Sequence, residues 1–102
     1  MYAVVRKDLS LQQQIVQVAH ATPEAGIYLA GPVKEPHYLI VCEVPNEEKL
    51  KTLLDSTRQR GIDCVAFNEP DMGNQMTAFA TASLSMQQKK QLSSLRLWRV
   101  NA

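Results

Sequence analysis

Only four glycines occur in the 102 residues. None belongs to a G-x-G-x-x-G or a phosphate-cradling loop, so the common nucleotide-binding turns are excluded. Histidine and cysteine occur twice each. There is no C-x-x-C, H-E-x-x-H or G-x-S-x-G, and two distant thiols supply too few ligands for a metal; no metal or cofactor is implied. Excess charge is missing as well, with 11 Lys and Arg against 10 Asp and Glu and a net charge of +1. That balance counts against tight nonspecific RNA binding while leaving room for a local basic patch. No apolar run approaches the roughly 18–20 residues of a membrane span, so no membrane association is expected.

The length suggests one domain over residues 1–102, and 45% apolar residues is ordinary for a globular protein. The opening "MYAVVRKDL" has its charges after a short apolar stretch, the reverse of a secretory signal, so a cytoplasmic protein is expected. Disulfide formation is disfavoured there. Cys42 and Cys64 each lie inside an apolar, strand-like run, where a free thiol behaves as a small hydrophobe.

"YAVVR" (2–6) reads as a short strand, followed by a polar turn in which Asp8 or Ser10 can cap a helix. That helix begins at Leu11 and is expected to stop near Pro23. At about 100° per residue, Leu11, Ile15, Val18, Ala19 and Thr22 share one side, which reads as the core face. Gln13, Gln17 and His20 share the opposite, polar side. Residues 23–36 carry three prolines and two glycines and read as a loop, with room for a fragment of helix or strand around "GIYLA". "HYLIVCEV" (37–44) reads as a strand buried on both faces, with His37 at its edge.

The next helix has Asn46 as N-cap, acidic Glu47 and Glu48 at its start, and Arg58 and Arg60 at its end. Gly61 stands at the left-handed closing position, and Leu50, Leu53, Leu54 and Thr57 form the apolar stripe. "IDCVAF" (62–67) and "MTAFATAS" (76–83) read as strands joined by a turn-rich segment. Ser85 with Gln88 forms a capping-box pattern that opens a short helix to about Leu92. "LRLWRV" reads as a last strand or an extended tail against the core. The order β-α-β-α-β-β-α holds two consecutive crossovers, which favour parallel strand pairs, and a hairpin that makes the fourth strand antiparallel to the third. An α/β fold is expected: a small mixed sheet with helices on its faces. Exposed sheet edges in so small a domain would allow a homodimer.

The residues able to carry chemistry are His20, Asp8, Asp71, Arg6, Lys7, Arg58 and Arg60. Singly, each has an ordinary structural reading: Asp8 caps a helix, Arg58 and Arg60 offset a helix dipole, and His20 is a solvated surface residue.

Together they say more. "VVRKDL" (4–9) followed by "QVAHA" (17–21) resembles the opening of the type-two peptidyl-tRNA hydrolases, a strand ending in R-x-D-L and a helix carrying Q-x-x-H-A. The likeness continues through "NEEKLKTLLDSTRQRGI", through "DMG" (71–73) against that family's D-A-G, and through the final "LRLW". It implies a compact α/β domain cleaving the ester between a peptide and the terminal ribose of tRNA. On that likeness His20 belongs to the active site, Asp71 is its acidic partner, and Gln17 supports the site from one turn away.

The chain also departs from the family. Where the family has G-K before the helix body, this sequence has Gln12 and Gln13, and a neutral amide cannot stand in for an ammonium. The turn after Asp8 is shorter than the family's by about two residues, and the threonine-containing loop after "DMG" is missing. The expectation is therefore a diverged domain that binds an RNA end or a protein partner through Gln13, Gln17 and His20, with Arg6, Lys7 and Asp8 at its border. The alternatives are an active hydrolase, in which Lys7, Arg6 or Arg58 supplies the missing cation, and a structural or interaction domain using its sheet edge or tail.

Overall fold

The computed structural model of the chain describes residues 1–29 and 39–100. Strands β1 (Tyr2–Arg6), β2 (Ile40–Val44), β3 (Cys64–Glu69) and β4 (Gln75–Thr81) and helices α1 (Leu11–Leu29), α2 (Glu47–Gln59) and α3 (Met86–Gln91) follow in the order β1-α1-β2-α2-β3-β4-α3. The four strands form one mixed sheet in the order β2-β1-β4-β3. β1 and β2 run parallel, and β4 is antiparallel to both β1 and β3. The expected α/β class is what is found. The second crossover differs from expectation: it carries the chain from β2 to the far edge, and β4 then returns between β1 and β3. His37 lies outside the described residues.

Side chains alternate across the pleat and divide the core into two layers. Tyr2, Val4, Cys42, Cys64 and Phe79 face α2 and α3, where Leu50, Leu54, Ile62 and Leu92 complete the larger cluster. Ala3, Val5, Ala78 and Ala80 face α1, where Ala21 and Ala25 meet them. Strand β1 is buried along its whole length because both faces are covered.

The two short-range helix predictions hold in detail. Asn46 accepts the Lys49 N–H at 3.0 Å. Ser85 and Gln88 bond reciprocally as a capping box. Gly61 has φ +82° and Gly73 φ +64°, both left-handed, which a side chain adopts only with strain.

Helix α1 departs from its sequence reading in two ways. It continues through Pro23 to Leu29. Pro23 removes the N–H that would bond to the Ala19 carbonyl, but both residues are exposed and water can satisfy that oxygen. Its buried stripe is also not the apolar one. Gln14, Gln17, Ala21 and Ala25 are buried, while Leu11, Ile15 and Val16 are 40%, 56% and 44% exposed. The sheet face beneath is largely alanine, and it accepts alanines and fully bonded glutamines in place of large aliphatic side chains.

Among the described residues no helix is long and apolar enough to cross a membrane. Cys42 and Cys64 are buried free thiols, and burial pushes each up to about 11. Neither is expected to react with iodoacetamide at neutral pH until urea unfolds the chain, and peptide mapping of the alkylated protein checks this.

Candidate functional site

His20 is exposed on α1, although its neighbour on the same face, Gln17, is turned toward the sheet. The His20 ring stacks on Phe67 of β3 with centroids 4.6 Å apart and planes 8° from parallel. The pair forms one wall of a groove of about 630 Å³ that also takes in Glu24, Glu69 and Asp71. Glu24 lies one helical turn beyond His20. Asp71 sits in the short 3-10 turn Pro70–Met72 that follows β3. His20 and Asp71, distant in sequence, thus line the same groove. Among the described residues no hydrogen bond joins them.

Gln17 is not on the solvent face that the helical spacing assigns to it; it is 1% exposed. Its amide oxygen accepts the Thr77 hydroxyl at 2.7 Å. Its Nε2 donates to Gln13 Oε1 at 3.0 Å and to Glu69 Oε2 at 3.3 Å. Gln17 therefore holds the groove wall from behind, and of the three polar positions only Gln13 and His20 are exposed.

The basic residues are committed elsewhere. Arg6 is buried and forks onto Asp8, with both bonds at 2.9 Å, while its Nη1 reaches Gln75 Oε1 at 2.8 Å and the Met76 carbonyl at 3.2 Å. Lys7 pairs with Glu43 at 3.4 Å and donates to the Arg99 carbonyl. Arg58 donates to the Cys64 carbonyl at 3.0 Å, and Arg60 to the Gln91 carbonyl at 3.2 Å. None of them lines the groove. Asp8 does not cap α1; Ser10 does, accepting the Gln13 N–H at 3.2 Å.

The bond from Arg6 holds the Asp8 carboxyl below its ordinary value of 3.8. A carboxyl lowered on folding contributes stability above the unfolded value and loses it as pH falls through the folded one. The stability gap between wild type and Asp8→Asn should therefore be full at pH 5 and above and close as pH falls below about 4. Urea unfolding across that range measures it.

Phe67, Glu24 and Glu69 were not identified from the sequence. Glu24 at i+4 from His20 was the available signal, hidden by the expected helix stop at Pro23. Phe67 alternates with Cys64 and Ala66 along β3, but which face meets α1 depends on the sheet. Among the described residues no three His, Cys, Asp or Glu side chains gather as a metal-binding set. No protein-family model matches the chain, and no curated protein matches its sequence.

Proposed function

We propose that the chain is a diverged domain of the type-two peptidyl-tRNA hydrolase kind that works as a binding module, taking a basic segment of a protein partner into the His20–Phe67 groove. The observation that carries this reading is the groove's charge. Glu24, Glu69 and Asp71 line it, and a phosphate brought there would face three carboxylates with no lysine or arginine among the lining residues. An arginine or lysine gains where the phosphate loses, by roughly 1 kcal/mol per carboxylate at 4 Å in a water-like dielectric. The flat His20–Phe67 pair adds an aromatic surface on which a guanidinium can lie.

Titration of the labelled protein with an arginine-containing peptide, and separately with tRNA, tests the proposal by chemical-shift mapping. The peptide is expected to move His20, Phe67 and Asp71, with affinity falling as salt rises. The tRNA is expected to leave them in place. Shifts confined to a face remote from His20, or tRNA binding at the groove, would refute it.

A second reading, an active peptidyl-tRNA hydrolase, is favoured by His20 and Asp71 lining one groove. Ester hydrolysis needs an oriented water, a base near neutral pKa and a cation or donor for the developing oxyanion. Arg6, Lys7 and Arg58 are the cations that could serve, and each is tied to other groups. This reading requires peptidyl-tRNA turnover that falls sharply in His20→Ala and Asp71→Asn. Turnover at background is the expected result. Gln13→Lys is not expected to raise it, because Gln17 Nε2 bridges position 13 to Glu69 and a new ammonium would pair with that carboxylate.

A further inference from the structure

The sheet has two edges, β2 and β3, and the His20 groove lies at the β3 side. The β2 edge is covered by the chain's own C-terminal segment. The Glu43 N–H donates to the Arg96 carbonyl at 2.9 Å, and the Trp98 N–H donates to the Val41 carbonyl at 2.8 Å. These bonds flank an antiparallel pairing of Leu97 with Cys42. A ladder this short is weak by itself, since one backbone bond contributes on the order of 1 kcal/mol net.

Side chains add selectivity. The Trp98 indole N–H donates to Gln14 Oε1 at 2.7 Å. Its ring borders an apolar cavity of about 140 Å³ walled by Ile15, Val18 and Val41. Gln14 is buried, and its Nε2 is already bonded to the Leu9 carbonyl at 2.8 Å and the Lys7 carbonyl at 3.3 Å. Its oxygen is therefore aimed at the indole by bonds that do not involve the tail. The Glu43 side chain, 8% exposed, pairs with Lys7 at 3.4 Å and Arg96 at 3.7 Å. It also accepts the Arg99 N–H at 3.0 Å. Lys7 Nζ lies 5.6 Å from the centroid of the Trp98 ring.

We infer that the β2 edge is a peptide-docking groove that reads an extended segment with an arginine-x-tryptophan pattern, and that residues 96–99 fill it in cis until a partner strand of the same pattern displaces them. The backbone rungs supply strand addition, the Gln14 oxygen and apolar cavity select the indole, and Glu43 selects the flanking arginine. Ser93 and Ser94 are exposed. They lie between buried Leu92 and the tail, so residues 96–100 can leave without unpacking α3.

The test uses the full chain carrying Trp98→Ala, which opens the groove, and a fluorescent peptide with the sequence of residues 93–100. Anisotropy should show saturable binding to Trp98→Ala and at least tenfold weaker binding to wild type, whose own tail competes intramolecularly. Binding should fall at least tenfold again when Glu43→Gln is added to Trp98→Ala, or when the peptide's tryptophan is replaced by alanine. Equal binding to wild type and Trp98→Ala, indifference to Glu43→Gln, or no binding by a chain whose circular dichroism shows an intact sheet would each overturn the inference. Should Trp98→Ala fail to fold, Arg99→Pro is titrated instead. It removes one tail bond at an exposed position, and the same outcomes decide. The β2 and β3 sides are tested with different residues, so either reading can fail alone.

Discussion

Gln17→Ala is expected to destabilise the chain by about 2–4 kcal/mol, a core-sized loss from a glutamine. The truncation empties a fully enclosed site and leaves the buried Thr77 hydroxyl without the acceptor it meets at 2.7 Å. An unsatisfied buried group costs about 1–3 kcal/mol, and the unfilled volume adds to that. In a domain of this size each kcal/mol lowers Tm by about 4–8 °C, so the variant should melt roughly 8–32 °C below wild type. Ile15→Ala is the contrast: the side chain is 56% exposed, and the expected cost is below about 1 kcal/mol. Urea unfolding of both variants measures the ranking. Were Ile15→Ala the more damaging of the two, α1 would be rotated as its apolar periodicity suggests. His20 would then not stack on Phe67, and the groove would not exist.

Reversing the groove's charge should abolish recognition of a basic peptide. Glu24 and Asp71 are the residues to change, because Glu69 also receives the Gln17 amide and is partly structural. Each reversal in Glu24→Lys/Asp71→Lys removes one attraction and installs one repulsion. At solvent-screened strength that amounts to about 1–1.5 kcal/mol per position. The pair should therefore weaken binding by roughly 30–150-fold and reverse the sign of its salt dependence, because the groove then repels a basic peptide. Calorimetric titration at two salt concentrations gives both readouts. Unchanged affinity in the double variant would mean that the peptide docks elsewhere. A matching gain in tRNA affinity would show that only the sign of the groove kept RNA away.

The elements legible in the sequence are those whose determinants are local. Helix α2 can be read from Asn46 to Gly61 because its cap, dipole charges, apolar stripe and left-handed stop lie within one short stretch. Helix α3 follows from Ser85 and Gln88 for the same reason, and the β3–β4 hairpin from the turn residues between the strands. That His20 and Asp71 line one groove could not be read from local pattern. No periodicity connects those two positions.

The facing of α1 was decided in tertiary structure. Apolar spacing put Leu11 and Ile15 inward because periodicity weighs hydrophobicity alone. It cannot know that Thr77, Glu69, Trp98 and the Leu9 carbonyl will satisfy two glutamine amides, or that the opposing sheet face is lined with alanine. Once those partners exist, burying an amide costs little, and small side chains fit where isoleucine would clash. The helix's passage through Pro23 has the same origin, since one lost bond at an exposed turn is offset by Ala25 packing against the sheet. Local sequence thus determined which segments are helices and strands and where most of them begin. Which faces those segments bury, which strand β4 inserts beside and what covers the β2 edge depend on partners dozens of residues away, and only the assembled sheet brings them together.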